Sequence, residues 1–272
     1  MSVHSAANQK ITTVKVQQMA DNGEKISMIT AYDFTMASLV DQSGIDIVLV
    51  GDSASNVMQG NSTTLPITVD EMIVYGKTVA RACQRSLVGI DMPFGSYQGD
   101  THNGLHNAVR MIKETGADYL KLEGGEDIID TIRAIVKAGI PVMGHLGLTP
   151  QSVNKFGGYG LRAKEEKEAE ELRANARLLE QAGCFSLVLE KIPAELARQV
   201  SDELRIPVIG IGAGPHVDGQ VLVLQDMLGM NQGFKPKFLR TYSNIGEQIV
   251  DALNRYSADV KNGLFPNENE SY

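Results

Sequence analysis

Short apolar runs recur along the chain, and each stops abruptly at a polar tip. "DIVLVGDS" shows the pattern: Ile47, Val48, Leu49 and Val50 give way at once to Gly51, Asp52 and Ser53. A run that is continuously apolar and β-branched predicts a strand buried on both faces, as in a parallel sheet. The same shape predicts strands in "ISMITAYD", "SLVGIDMP", "ADYLKLEGG", "IPVMGHLG", "CFSLVLEKI" and "IPVIGIGAG". Between them lie stretches with helical spacing, several closed by glycine: "FTMASLVDQSG", "VDEMIVYGKTVARACQ", "HNGLHNAVRMIKETG", "EDIIDTIRAIVKAG", "AKEEKEAEELRANARLLEQAG" and "PAELARQVSDEL". "SASNVMQGNSTTLPIT" and "LTPQSVNKFGGYGLR" read as long polar loops. Residues 219–228 hold a short or irregular eighth element. "NIGEQIVDALNRYSADVKNG" predicts a final helix, and "LFPNENESY" a frayed tail. "TTVKVQQMADNG" predicts a helix ahead of the first strand, placed to cover the N-terminal mouth of whatever the strands build.

Strands alternating with helices imply parallel βαβ units. Seven clear strands and a weak eighth favour a closed (β/α)8 TIM barrel over an open doubly wound sheet, as a single domain across 1–272. In such a barrel every strand delivers its C-terminal end to one rim, where barrel enzymes keep their chemistry. Asp33, Asp52, Asp91, Glu123, His145 and Glu190 would then share that rim. Crowded carboxylates raise one another's pKa or gather a cation, and hard oxygen donors suit Mg2+. Each acid taken alone reads equally well as a helix N-cap or a solvated loop residue. Lys121 lies two residues before Glu123 and so faces the same side. It reads as an internal ion pair, a cation for a substrate carboxylate, or a Schiff-base lysine. His145 reads as a satisfied core histidine or as a proton-transfer group. "GIGAG" (210–214) reads as a phosphate cradle or as a tight turn needing close backbone approach.

Composition narrows the class. With 272 residues, 43% hydrophobic content and mean hydropathy -0.12, the chain suits a globular domain with a sizeable core. Lys and Arg total 25 against 33 Asp and Glu, a net charge of -8, which argues against nucleic acid or an anionic membrane as partner. Two isolated cysteines, Cys83 and Cys184, predict no disulfide framework and fit a reducing compartment. "MSVHSAANQKITT" shows no apolar leader, and no stretch approaches a membrane span, so a cytoplasmic location is expected.

"ITAYD", "VGDS", "TLPIT", "KLEGG", "GHLGLTPQSVNKFGGY", "LVLE" and "IPVIGIGAG" occur in an order, and across nearly the whole chain, that resembles the ketopantoate hydroxymethyltransferase family. The resemblance implies a metal-dependent barrel of the phosphoenolpyruvate/pyruvate superfamily type, cytoplasmic and homodecameric, in pantothenate and coenzyme A biosynthesis. It implies transfer of a hydroxymethyl group from 5,10-methylenetetrahydrofolate to 3-methyl-2-oxobutanoate. By position, Asp52 and Asp91 match magnesium-binding aspartates that also lie against substrate. Ser53 and Lys121 match substrate-binding residues, Glu123 a third metal-site carboxylate acting directly or through water, and Glu190 the general base. One departure stands out: the family continues "GDSLG" where this chain has Ala54, Ser55 and Asn56, a change expected to touch loop conformation or substrate fit. Two other readings stay open: a folate-independent, Mg2+-dependent aldolase or lyase of 2-keto acids, and a barrel kept as a binding or assembly protein.

Overall fold

In a computed structural model, the structure describes residues 9–231, 233 and 235–272; residues 1–8, part of the stretch read as leaderless, lie outside the described residues. The chain divides into two compact units, Met1–Leu222 and Val223–Tyr272, where the sequence pattern suggested one domain.

The first unit is the barrel. Strands β1 (Ile26–Thr30), β2 (Ile47–Val50), β3 (Leu87–Asp91), β4 (Tyr119–Glu123), β5 (Val142–Gly147), β6 (Ser186–Glu190), β7 (Val208–Ile211) and β8 (Gly219–Leu222) close in sequence order, β8 pairing back onto β1. All pairings are parallel. The doubtful eighth element is thus a four-residue strand that completes the ring, followed by a short helix, Leu224–Met227, in the second unit.

Helix α1 (Thr13–Asp21) precedes β1, capped by Thr12, whose side chain accepts from the Lys15 N–H. Its Val16 and Met19 join one apolar cluster with Met28, Leu49, Leu87, Tyr119, Met143, Val188, Ile209 and Val221 from the strands. That cluster fills the lower barrel, and α1 stops its N-terminal mouth as the pattern predicted. Helices α2 (Phe34–Gln42), α4 (Val69–Ala82), α5 (Thr101–Thr115), α6 (Ile129–Lys137), α8 (Glu166–Gln181) and α9 (Ala194–Glu203) follow successive strands. Two stretches read as loop contain single-turn helices: α3 (Ala54–Val57), and α7 (Val153–Phe156) behind a 3-10 turn at Pro150–Ser152. Four residues are too few to show periodicity, so neither left a sequence signal.

"GIGAG" is a packing device: a Cβ on Gly214, at φ +82, would stand 2.4 Å from the Ala194 Cβ at the start of α9. The close-approach reading accounts for the motif.

Asp41, near the end of α2, accepts the N–H groups of Gln84, Arg85 and Ser86 ahead of β3. Burial alone would raise its pKa, but the Ser86, Gln84 and Arg85 donors outweigh it and hold the carboxyl below its usual range. Asp41→Ala leaves those donors without their acceptor and is expected to cost about 1–3 kcal/mol of stability at pH 7. A depressed native pKa contributes stability above the unfolded value, lost as pH falls through the native one. The gap between parent and variant denaturation midpoints should therefore be full at pH 6 and shrink as pH falls below the ordinary carboxylate range. A gap that persists at low pH would contradict this.

The second unit comprises α10 (Leu224–Met227), α11 (Ile245–Lys261) and a 3-10 turn at Glu268–Glu270 where a frayed tail was expected. That turn is closed by an Asn267–Glu270 capping box.

Candidate active site

Period-two alternation puts the chemistry in place. Along β3, β4, β5 and β6 the inward positions run from Gly89, Tyr119, Met143 and Val188 to Asp91, Lys121, His145 and Glu190 one step nearer the C-terminal rim. The lower layer is small or apolar and the upper layer carries charge. Register sets Asp91 beside Lys121 and Glu123 beside His145 on neighbouring strands. Asp52 enters one residue past Gly51, from the tip of β2.

The groups touch. Lys121 Nζ lies 3.0 Å from Asp91 Oδ1, 3.6 Å from Glu123 Oε1 and 3.2 Å from His145 Nδ1. His145 Nδ1 is 3.2 Å from Glu123 Oε1, and its Nε2 stands 3.3 Å from Glu190 Oε2. The Asp52 N–H donates to Asp91 Oδ2 at 3.0 Å. Asp52, Asp91, Lys121, Glu123 and His145 are all buried, while the Glu190 side chain keeps 16% of its surface exposed, against 2% for Glu123.

Burial of three carboxylates with one lysine leaves excess negative charge. Burial first, then Glu123, pushes Asp52 up to about 7. Burial also lifts Asp91 to about 7 against the pull of Lys121, with Asp52 and Glu123 adding repulsion. Burial opposes the Lys121 charge, but Asp91, Glu123 and Asp52 outweigh it and hold the ammonium protonated. Burial and the Lys121 charge lower His145 to about 4, so it is neutral at pH 7. With Lys121 donating to Nδ1, the proton of neutral His145 belongs on Nε2, toward Glu190.

These groups fit a hard divalent cation at Asp52 and Asp91. Both are oxygen donors at adjoining strand tips, and Asp91 Oδ1 has the Lys121 ion pair but no well-aligned hydrogen bond. Among the described residues no three His, Cys, Asp or Glu side chains form a ready ligand cage. Mg2+ tolerates that, since it takes one or two carboxylates and fills the rest with water and substrate oxygens. Glu123 fits direct ligation less well, because Oε2 accepts the Gln151 N–H at 2.9 Å and Oε1 faces Lys121 and His145.

Ser53 turns its hydroxyl to the buried Tyr32 hydroxyl at 2.7 Å. Asp33 does not join the cluster; its side chain accepts the Met36 N–H at 2.9 Å and caps α2. The unusual Ser55 sits in α3, fully buried, donating to Thr63 O and accepting from Asn61 Nδ2. It staples the loop that follows instead of straining the backbone.

Three further residues escaped the sequence reading. Gln151, in the 3-10 turn beyond β5, reaches Asp52. Tyr97 accepts the Glu123 N–H at 3.0 Å, and Tyr32 holds Ser53. Their only signal was membership of long motifs or proximity to strand tips; nothing marked their hydroxyl and amide groups as turned inward. Lys191, next to Glu190, takes a left-handed backbone (φ 50) and donates from Nζ to Tyr159 O, tying the "FGGYG" loop to the end of β6.

A closed parallel barrel with ionisable groups gathered at its C-terminal mouth defines the class: a (β/α)8 barrel of enzyme type. Solved structures share that fold at low identity. A 2,3-dimethylmalate lyase, described as a PEP mutase/isocitrate lyase superfamily member, matches with TM-score 0.60 and 16% identity over 96% of this chain and 91% of its own. A phosphonopyruvate hydrolase matches with TM-score 0.62 and 12% identity over 96% and 93%. The sequence pattern of the ketopantoate hydroxymethyltransferase family matches residues 10–268, and the chain belongs to that family. The 3-methyl-2-oxobutanoate hydroxymethyltransferase of Bacteroides thetaiotaomicron is 62% identical over 264 residues, 97% of each chain. That of Flavobacterium johnsoniae is 58% identical over 272 residues, the full length of both.

Proposed function

We propose that the protein transfers a hydroxymethyl group from 5,10-methylenetetrahydrofolate to 3-methyl-2-oxobutanoate, giving 2-dehydropantoate. The observation that carries this, beside family membership, is the convergence of Asp52, Asp91, Lys121, Glu123 and Glu190 at one mouth. A protein kept only for binding or assembly has no evident use for so strained a set of like charges.

Asp52 and Asp91 would hold Mg2+, which would supply Lewis acidity toward the substrate's keto group. Ser53, beside Asp52, donates to the substrate. Lys121 offsets the negative charge of substrate and carboxylates, and its position between Asp91 and Glu123 favours an electrostatic role over Schiff-base formation. Glu190 removes the C3 proton as general base. Its carboxylate is the more accessible of the two glutamates, since Glu123 is engaged on both oxygens. Water opens the donor: both bonds from the methylene carbon to the folate nitrogens break, the water oxygen takes their place on that carbon, and tetrahydrofolate leaves with the two protons of the water. The C3 carbon then bonds to this formaldehyde-level carbon, whose oxygen takes up the proton held by Glu190 and becomes the hydroxyl. Phe94 and Tyr159, exposed in the loops after β3 and β5, offer ring faces where the pterin would arrive.

Proton NMR of 3-methyl-2-oxobutanoate in deuterated buffer with Mg2+ tests both halves. Loss of the C3 signal, then product on adding the donor, is expected. Exchange without transfer would instead favour the folate-independent aldolase or lyase.

Self-association belongs to the same reading. Helix α11 carries no buried residue, and Ile249, Val250, Leu253, Tyr256 and Val260 are exposed along it at helical spacing. A second copy of the chain is the partner we assign to this face, in the expected homodecamer. Leu253→Glu should lower the assembly state in sedimentation velocity; an unchanged sedimentation coefficient would remove α11 from the interface. Among the described residues no helix is long and apolar enough to cross a membrane.

A further inference from the structure

Gln151 is the most fully committed polar side chain at the mouth. Pro150 opens the 3-10 turn that carries it, and the residue is buried. Its Nε2 donates to Asp52 Oδ2 and to Met92 O, both at 2.9 Å. Its Oε1 accepts from Tyr97 Oη at 2.8 Å and from Gln98 Nε2 at 3.0 Å. Its backbone N–H donates to Glu123 Oε2 at 2.9 Å.

An amide has two donor hydrogens and two acceptor lone pairs, and here all four are used. The partners also fix which way the amide points. A flipped amide would set its oxygen against the Asp52 carboxylate and the Met92 carbonyl, and its NH2 against the Gln98 NH2. One residue therefore ties together the tips of β2, β3 and β4 from the turn after β5. It fixes the rotation of the Asp52 carboxylate about its Cβ–Cγ bond through the side chain, and grips Glu123 through the backbone.

We infer that Gln151 is a positioning residue for the transfer reaction, holding Asp52 in the orientation that presents it to metal and substrate. This rests on the proposed role of Asp52. Partners that orient metal-binding carboxylates cost 10–100-fold in metal affinity or activity when changed, and an effect of that size is expected here.

Three measurements on the full-length protein decide it: Mg2+ affinity by calorimetry, C3 proton exchange of 3-methyl-2-oxobutanoate, and the melting temperature. Gln151→Glu keeps the length and the acceptor toward Tyr97 but turns an oxygen on Asp52. Gln151→Asn keeps the amide but is too short to reach. Tyr97→Phe leaves the Gln151–Asp52 bond in place. The expected result is Mg2+ affinity about 10-fold or more weaker in both Gln151 variants, with exchange reduced 10–100-fold, and a smaller change in Tyr97→Phe. Gln151 variants that melt lower yet bind Mg2+ and exchange like the parent would make the residue merely structural and overturn the inference. So would Gln151 variants that cannot be folded at any Mg2+ concentration, or a Tyr97→Phe effect equal to theirs. A parent protein that neither binds Mg2+ nor exchanges C3 would instead defeat the proposed function itself.

Discussion

Glu190→Gln is expected to slow both C3 exchange and product formation by about 10²–10⁴-fold, the usual worth of a positioned general base. The substitution keeps the side chain's size and its place at the end of β6, 3.3 Å from His145 Nε2. It removes only the lone pair basic enough to take a proton from carbon. Binding of 3-methyl-2-oxobutanoate should hold, because the residues assigned to the substrate are Asp52, Ser53, Asp91 and Lys121. Calorimetry of keto acid binding beside the exchange measurement separates the two. Parent-like exchange in the variant would end the case for Glu190 and turn attention to Glu123. The structure favours Glu190 in that contest, since Gln151, His145 and Lys121 crowd the Glu123 oxygens.

Lys121→Met should be the more damaging change to the fold. Among the described residues, Lys121 is the one cation placed against Asp91 and Glu123, and the side chains of all three are almost fully buried. Taking one partner from a buried ionic group costs about 3–5 kcal/mol, because the remaining charge stays desolvated. For a chain of this size that is a drop in melting temperature on the order of 10 °C. The loss carries a pH signature. Without the ammonium, the native carboxyls hold their protons to higher pH than the unfolded chain does. The native state then binds more protons, and stability falls as pH rises. The deficit should be larger at pH 8 than at pH 5. A deficit independent of pH would mean that Lys121 acts through packing alone, and parent-like turnover would dismiss it from the site.

The parts of the molecule legible in the sequence are those with a period or a motif. Buried strands betray themselves as unbroken apolar runs, and their polar tips mark Asp52, Asp91, Glu123, His145 and Glu190 as residues of one rim. Because side chains alternate along a strand, Lys121 and Glu123 could be placed on one face from spacing alone. Asp33 looks identical in sequence to Asp52, an acid following an apolar run. It differs only in what lies next to it in space: the free N–H of Met36 at the start of α2. The same limit hid Gln151. A glutamine in a polar loop is the ordinary state of affairs, and nothing local says that this one reaches across the mouth to a residue 99 positions away. Ser55 looked like a liability where the family has glycine, yet it serves as a hydrogen-bonding anchor within a helical turn too short to predict.

Helix α1 has a kinetic consequence. Its Val16 and Met19 cork the lower barrel, and the packed apolar interior above them admits no through passage. On the proposed function, keto acid, folate donor and both products would therefore share one doorway. With the keto acid placed deeper, as proposed, against Asp52, Asp91 and Lys121, the bulky donor would arrive on top of it and block its retreat. Such a cul-de-sac would impose a queue: keto acid first in, tetrahydrofolate first out, 2-dehydropantoate last to leave. In steady state, the product then competes directly with the keto acid for the empty pocket, and excess donor traps the keto acid already inside.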